Sequence, residues 1–214
     1  MVYSTGAAAG PCYTAGVSGD FELLQAWRDG DREAGDALLR RHFDSVCRFF
    51  RSKLGDDVED LIQRTFLDSV ESRDRVREGA SFRAYLFSIA RRRLYDHLRV
   101  AYRRVETDVG NHSLADLGTS PTGKLARGQE ERLLLAAMER IPVDFRIALE
   151  LAYWEGMRGP DIAMALGIEE NTVRSRLSRA RAALREQIET LAPTPELATS
   201  TVDGLEQHLR GVAG

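Results

Sequence analysis

Five arginines and no acidic residue occupy the stretch between positions 171 and 185: Arg174, Arg176, Arg179, Arg181 and Arg185. An arginine guanidinium holds phosphate oxygens, and it can form two parallel hydrogen bonds with a guanine edge in the major groove. The chemistry that this pattern favours is therefore noncovalent binding of nucleic acid. A basic helix face can also be merely solvated, and for the arginines alone this alternative stays open.

Two short helices joined by a tight turn are predicted to position these arginines. Pro160 suits the first turn of a helix, and Gly167 supplies the left-handed backbone that often ends one. The second helix is expected to begin at Asn171 or Thr172, either of which can cap it. Its inward stripe is predicted to be Val173, Leu177, Ala180 and Leu184. This order of elements predicts a helix-turn-helix whose basic second helix enters the major groove.

A second basic stretch, residues 81–104, is also predicted to be helical. Its inward stripe is apolar, and its other side combines seven arginines and four aromatic residues with the single acid Asp96. Arginines that follow a phosphate backbone and rings that stack on unpaired bases are what single-stranded nucleic acid requires. Taken one at a time, each ring is more typical of a core position. The combination favours contact with melted DNA.

The helix predicted over residues 56–71 is acidic. It carries six carboxylates against the single cation Arg64, so phosphates would be repelled from it. No histidine, nucleophile or glycine-rich loop accompanies these carboxylates, which speaks against catalysis. Two interpretations stay open: a solvated helix start, or a docking face for a basic protein partner.

Composition places further bounds on function. The 214 residues carry a net charge of −3, and the two cysteines, Cys12 and Cys47, are too few for a disulfide framework or a metal cluster. His42 and Cys47 are therefore expected to be packed or surface residues without a ligand role. No apolar run of about twenty residues and no signal peptide is recognisable. We expect a cytoplasmic protein that needs no cofactor, metal or membrane.

The predicted fold class is all-α, with two small helical domains joined by a flexible linker and a helix-turn-helix in the C-terminal domain. Residues 1–19 are expected to be a flexible lead-in, and 20–104 the first domain, with Asp20 capping its first helix and a second helix over 32–54. Residues 105–129 are predicted to be the linker and 130–190 the second domain. Residues 191–214 form an acidic extension, for which we expect a disordered tail; an intramolecular lid or partner-binding segment is the alternative.

Three motifs occur in a characteristic order along the chain: DDVEDLIQRTF at 56–66, FRAYLFSIARRRLYDHLR at 82–99, and a continuous stretch at 141–186 that ends in the helix-turn-helix. Together they resemble the extracytoplasmic-function (ECF) group of the sigma-70 family of bacterial transcription initiation factors. The resemblance implies a dissociable factor that binds core RNA polymerase, directs it to promoter DNA and helps to open the duplex, without bond chemistry or a small-molecule substrate.

The resemblance also implies roles for individual residues. The acidic helix would dock on the largest polymerase subunits through Asp57, Glu59, Asp60 and Gln63, supported from beneath by Leu61 and Phe66. The non-template strand of the minus-ten element would lie on Arg83, Tyr85, Arg91, Arg92, Arg93, Tyr95 and Arg99. The minus-thirty-five duplex would be read by Asn171, Thr172, Arg174, Ser175, Arg176, Ser178 and Arg179. An anti-sigma protein is a further expected partner.

The sequence departs from the family pattern at a few positions. Arg92 stands where the family commonly has asparagine, so the bases accepted in the minus-ten element are not transferable from relatives. Arg64 stands where an acid is frequent. Two rival functions are a helix-turn-helix regulator that acts without joining polymerase and a DNA-cleaving recombinase. The second rival requires a nucleophilic serine or tyrosine on an α/β domain, which the helical pattern does not predict.

Overall fold

Helices form all the regular secondary structure in the described part of the chain, which comprises residues 19–76, 81–101, 109–116 and 128–212 of a computed structural model. The predicted all-α class is confirmed. The elements are α1 (Asp20–Arg28), α2 (Arg32–Leu54), α3 (Glu59–Glu71), α4 (Phe82–Ala101), α5 (Gln129–Arg140), α6 (Val143–Tyr153), α7 (Gly159–Leu166), α8 (Glu170–Leu191) and α9 (Pro195–Val212). Short 3-10 turns lie at Arg73–Arg75 and Val109–Asn111.

Local signals fix α2 at both ends. The Asp31 carboxylate accepts hydrogen bonds from the backbone N–H groups of Glu33 and Ala34, at 2.9 and 3.1 Å. At the other end Gly55 has φ 80°, a conformation that favours glycine. The bounds predicted for this helix are confirmed because both of its signals are local.

The predicted cap of α1 and the predicted start of α3 are wrong. Gly19, not Asp20, occupies the cap position of α1, and the Asp20 carboxylate instead contacts Arg41 at 2.8 Å and His42 Nε2 at 2.6 Å. α3 begins at Glu59 because Val58 N–H donates to the Asp56 carbonyl at 3.0 Å, in a tight turn that precedes the helix. Asp56 and Asp57 therefore lie in the loop before α3.

One hydrophobic cluster runs through both halves of the chain, of which the first comprises α1 to α4 and the second α5 to α9. Phe50, Phe82 and Leu94 of the first half belong to the same buried cluster as Ile147 and Leu166 of the second. α7 packs along α4, so the first helix of the helix-turn-helix lies on the basic helix of the first half. A second cluster lies beneath α5, α8 and α9 and contains Met138, Leu149, Leu184 and Ile188. The two predicted domains thus share a core in this conformation.

Part of the predicted linker is folded. Leu114 is fully buried, Ala115 N–H donates to the Glu139 carbonyl at 3.0 Å, and Val143 N–H donates to the His112 carbonyl at 2.8 Å. These bonds attach residues 109–116 to the junction between α5 and α6. Residues 105–108 and 117–127 of the predicted linker lie outside the described residues, as do residues 102–104 of the predicted first domain and 1–18 of the predicted lead-in.

The C-terminal extension forms a helix, so the expectation of a disordered tail is wrong for residues 195–212. Ala198 and Thr201 are buried, and α9 packs against α5, α6 and α8. Leu197, Val202 and Leu205 supply the apolar side that lies on this part of the core. The extension therefore completes the second half of the molecule.

Candidate nucleic-acid interface

The helix-turn-helix has the predicted turn. Gly167 ends α7 in the left-handed conformation, with φ 64° and ψ 39°, and Ile168 N–H donates to the Ala163 carbonyl at 3.0 Å. The prediction that Asn171 or Thr172 caps α8 is wrong. The cap position belongs to Glu169, whose carbonyl accepts from Thr172 N–H at 2.9 Å. Asn171 and Thr172 therefore lie inside the first turn of α8.

The two faces of α8 separate as predicted. Val173, Ala180 and Leu184 are buried, and Leu177 packs against the core. Of the residues predicted to read duplex DNA, Thr172 and Arg176 are partly buried, whereas five are exposed: Asn171, Arg174, Ser175, Ser178 and Arg179. The Arg179 guanidinium lies over the Phe145 ring, 6.0 Å from its centre, where a cation–π contact supports it. The exposed side of α8 is thus a basic and polar surface.

On α4 the predicted DNA-binding arginines are held by carboxylates. Arg93 donates two hydrogen bonds to Asp68, from Nε at 2.8 Å and from Nη2 at 2.6 Å, and Arg92 Nη2 lies 3.2 Å from the same carboxylate. Arg99 Nη1 lies 3.6 Å from Asp96 on the same helix. Arg92 and Arg99 are the most exposed of these arginines.

The predicted stacking platforms of α4 are covered in this conformation. Tyr85 is half-buried, and its hydroxyl donates to Ser72 Oγ at 2.6 Å. Tyr95 is buried, and its hydroxyl donates to Asp144 of α6. Burial raises the pKa of Tyr95, and the neighbouring Asp144 carboxylate raises it further, so the hydroxyl stays a donor. Neither ring faces solvent as an open platform.

Two carboxylates of the second half bind the remaining arginines of this set. Asp144 lies 3.3 Å from Arg91 of α4 and 2.8 Å from Arg176 of α8, in addition to its contact with Tyr95. Glu155, which is buried just after α6, contacts Arg83 of α4. It also lies 3.3 Å from Arg48 of α2. Sequence reasoning missed both carboxylates, because their partners lie tens of residues away along the chain.

A buried ion network joins α2 to α6. The Lys53 ammonium is fully buried, donates to the Phe49 carbonyl at 2.8 Å, and contacts the Glu150 carboxylate. Arg146 Nε donates to the same carboxylate at 2.9 Å. Burial lowers the pKa of Lys53 to about 8, against the opposing effect of Glu150. Burial alone would raise the pKa of Glu150, but Lys53 and Arg146 outweigh it and lower that pKa.

The acidic residues predicted to dock on polymerase form an open surface at the start of α3. Asp57, Glu59, Asp60 and Gln63 are exposed, and Asp60 lies 2.9 Å from Arg64 one turn later. Leu61 is buried beneath them, as predicted. Phe66 is half-buried and stacks on Phe43, with ring centres 5.7 Å apart. The exposed Phe43 of α2 and Leu67 of α3 add apolar area to these two helices.

Two family models match the two halves of the chain. The model for sigma-70 region 2 matches residues 38–104, and the model for sigma-70, region 4 matches residues 131–184, so together they cover more than half of the sequence. The chain belongs to the sigma-70 family. α4, with its arginines, lies in the region 2 match, and the helix-turn-helix lies in the region 4 match.

Curated relatives place this sigma factor in the ECF group. It is 31% identical over 183 residues to the ECF RNA polymerase sigma factor SigM of Mycobacterium tuberculosis, a match that covers 82% of this chain and 90% of SigM. It is 27% identical over 184 residues to the ECF RNA polymerase sigma-E factor of Haemophilus influenzae, covering 80% and 96%. The resemblance inferred from the three motifs is confirmed: this is an alternative sigma factor that directs transcription initiation with RNA polymerase.

Solved structures agree on the fold. CnrH, determined in complex with the cytosolic domain of CnrY, aligns with a TM-score of 0.59 at 24% identity, over 81% of this chain and 99% of that one. The sigma factor RpoE of Bartonella quintana, in complex with the anti-sigma factor NepR, aligns with a TM-score of 0.53 at 25% identity, over 73% and 98%.

Among the described residues no helix is long and apolar enough to cross a membrane, and no group of acidic, histidine and cysteine side chains is placed to hold a metal ion.

Proposed function

We propose that three helices of this sigma factor have separate binding roles: α3 docks on core RNA polymerase, α8 reads the minus-thirty-five duplex, and α4 holds the melted minus-ten strand. The observation that carries the proposal is the exposed basic and polar side of α8, which the α7 turn presents away from the core. A helix presented in this way fits the major groove, where side chains near its N-terminus reach base edges.

On α8 the exposed residues suit different tasks. Arg174 and Arg179 can bind phosphates or guanine edges, whereas Asn171 can pair with adenine and Ser175 with either kind of base edge. Arg176 and Thr172 are less exposed, and Arg176 is engaged by Asp144. Arg176 therefore reaches DNA only after this ion pair opens.

On α4 the arginines would follow the phosphates of the non-template strand, and the tyrosines would accept unstacked bases. In this conformation Tyr95 and Arg91 are engaged by Asp144, and Arg83 by Glu155. The proposed capture of the minus-ten strand thus requires the two halves of the molecule to separate. We place that separation on the polymerase, where the two promoter elements lie apart.

The acidic face of α3 fits a basic surface on the largest polymerase subunits. Asp57, in the loop before α3, and Glu59 and Asp60, in its first turn, are exposed, so that electrostatic attraction would favour the encounter. We further propose that the factor acts in the cytoplasm and makes and breaks no covalent bonds. By analogy with RpoE of Bartonella quintana, which was solved with the anti-sigma factor NepR, an anti-sigma protein is a proposed partner.

Charge reversal at the start of α3 and in the loop before it tests polymerase docking. We expect Asp57→Arg/Asp60→Arg to lower transcription by core polymerase from a promoter pool at least tenfold, because two attractive contacts become repulsive. The fold should survive, since among the described residues the ion pair that is lost is the exposed pair between Asp60 and Arg64, which contributes at most about 0.5 kcal/mol. The measurement is in vitro transcription, with the transcript start sites mapped.

The matched control is Glu71→Arg/Asp74→Arg, which reverses two exposed charges, one at the last residue of α3 and one in the 3-10 turn that follows it. It should retain most of the transcripts. If wild-type protein gives no transcripts but alone shifts specific duplex DNA, the factor would act as a regulator that does not join polymerase, and the docking role of α3 would be refuted.

A further inference from the structure

Asp68, near the end of α3, holds two neighbouring arginines of α4. The carboxylate accepts two hydrogen bonds from Arg93, at 2.8 and 2.6 Å, and lies 3.2 Å from Arg92. Its side chain is only 18% exposed. These contacts, with burial opposing them, lower the pKa of Asp68, so the carboxylate stays charged. One carboxylate therefore fixes two guanidinium groups across the contact between α3 and α4.

The two arginines are held differently. Arg93 gives two nitrogens of its fork to Asp68, and its side chain is 29% exposed. Arg92 touches Asp68 through one nitrogen and is 62% exposed. A guanidinium held at one corner keeps most of its donors available while its orientation is restricted. Arg92 is thus presented to solvent in a defined direction, and Arg93 braces the carboxylate.

We propose that Asp68 is a positioning residue for minus-ten recognition, which orients Arg92 toward one nucleotide of the melted strand. The inference rests on the proposed role of α4 in holding that strand. An oriented arginine discriminates among bases, whereas an untethered one binds phosphates of any sequence. Loss of Asp68 should therefore weaken sequence discrimination while it strengthens nonspecific attraction to DNA.

A promoter library randomised over the minus-ten element tests this role. With core polymerase and sequencing of the transcripts, Asp68→Asn should lower the preference for the best minus-ten sequences about fivefold relative to wild type. The same variant should bind a random single-stranded oligonucleotide more tightly. Asp68→Glu, which keeps the charge, should restore much of the preference. Glu71→Gln is the control for loss of one negative charge from α3, and its preference should match that of wild type.

Different results of this experiment would refute the positioning role of Asp68 and the proposed role of α4. An unchanged minus-ten preference in Asp68→Asn, with normal thermal stability, would refute the positioning role. If the wild-type protein itself showed no minus-ten preference, the proposed role of α4 would fail first. If Asp68→Asn lost its minus-ten preference because its fold was damaged, its melting temperature would be lower than that of wild type. Asp68→Glu would show the same lower melting temperature only if the geometry of the side chain, rather than its charge, matters at this site.

The interdomain carboxylates, defined as Asp144 and Glu155, support a second inference that does not depend on Asp68. Asp144 contacts Arg91, Tyr95 and Arg176, which lie on both helices proposed to bind DNA. Glu155 contacts Arg83 of α4. A carboxylate that occupies an arginine competes directly with a DNA phosphate for it.

The surroundings of Asp144 and Glu155 also hold the two halves of the chain together. The apolar core is continuous between the halves, and Lys53 reaches Glu150 across the same junction. Gly110, in the folded part of the linker, lies so close to Asp144 that a Cβ atom there would be 2.9 Å from the carboxyl carbon. Asp144 is thus confined between the linker segment and the two basic helices.

We infer that the free protein is autoinhibited: Asp144 and Glu155 hold the second half on the first and shield DNA-binding arginines until polymerase separates the halves. The inference rests on the proposed roles of α4 and α8. It requires that weakening these contacts both expand the free protein and increase its affinity for DNA.

Two variants test the inference by different routes. Asp144→Asn/Glu155→Gln removes the competing charges, and Gly110→Ala displaces Asp144 without altering any charge. For the free protein we expect both variants to increase the radius of gyration in small-angle X-ray scattering. Both should also bind about tenfold more tightly to a duplex carrying the minus-thirty-five region of a promoter that the holoenzyme transcribes in vitro. The control is Glu186→Gln/Glu189→Gln, which removes two exposed charges from α8.

The control should raise DNA affinity less than the test variants and leave the scattering curve unchanged. If Asp144→Asn/Glu155→Gln and Gly110→Ala both scatter like wild type and bind DNA no better than the control, the autoinhibitory contact is refuted. Expansion without any gain in DNA binding would instead count against the proposed DNA role of α8, because the halves would have separated as inferred.

Discussion

Glu150→Gln is expected to lower the free energy of unfolding by about 3–5 kcal/mol, the cost of leaving buried charge without its counter-ion. Glu150 contacts both Lys53, which is fully buried, and Arg146. The remaining hydrogen bonds of these cations are to neutral oxygens, among them the Phe49 and Ser52 carbonyls. An amide at position 150 would accept a hydrogen bond but would neutralise neither cation.

The decrease in the free energy of unfolding caused by Glu150→Gln has an upper bound. Because Lys53 belongs to α2 and Glu150 to α6, separation of the two halves would return both cations to water. The cost therefore cannot exceed the free energy that holds the halves together. The measurements are urea denaturation at neutral pH and small-angle scattering of the same sample. A smaller decrease in the free energy of unfolding, together with a larger radius of gyration of Glu150→Gln, would indicate that the two halves have separated.

A double-mutant cycle sharpens this prediction. Lys53→Met/Glu150→Gln removes a buried cation together with the carboxylate, so it should be less destabilised than Glu150→Gln alone. Glu71→Gln, on the exposed surface of α3, controls for the loss of a carboxylate and should change stability by less than about 0.5 kcal/mol. Wild-type stability and scattering in Glu150→Gln would contradict the ion network.

Elements with local signals could be predicted from the sequence alone. The bounds of α2 follow from Asp31 and Gly55, and the turn between α7 and α8 follows from Gly167. The inward stripe of α8 was also predictable, because apolar spacing of three and four residues depends only on helix geometry. The starts of α3 and α8 were misplaced by a few residues, since backbone turns at Asp56–Val58 and Glu169 decide them and several neighbouring residues could cap equally well.

The contacts between the halves could not be predicted in the same way. Asp144 and Glu155 carry no local pattern that distinguishes them from solvated acids, and their partners on α4 lie about fifty to seventy residues away. Lys53 offered one signal that was not used: it follows Phe49 and Phe50 at helical spacing of four and three residues, in a chain whose cations are nearly all arginine. α9 was underestimated because its Pro- and Thr-rich start suggests a loop, whereas packing on α5 and α8 stabilises it.

Arg174→Ala/Arg179→Ala is expected to reduce transcription from promoters that depend on the minus-thirty-five element by about 100-fold. Each arginine that contacts a base or phosphate contributes roughly 1–3 kcal/mol, and the two side chains are exposed on the side of α8 that we assign to DNA. Neither takes part in the carboxylate contact that holds Arg176, so their removal leaves the contacts between the two halves of the chain intact. Thermal stability should change little, apart from the loss of the Arg179 contact with Phe145.

The measurement is in vitro transcription over a range of salt concentrations, together with co-elution of the variant with core polymerase. Each lost phosphate contact should reduce the salt dependence of promoter binding by about one unit of slope. Arg132→Ala/Arg140→Ala, which removes two exposed arginines from α5, is the matched control and should remain within a fewfold of wild type. Equal losses in both variants would mean that net charge, rather than the α8 surface, governs promoter binding. Loss of co-elution would instead assign these arginines to polymerase, because a residue that only reads DNA has no reason to weaken the holoenzyme.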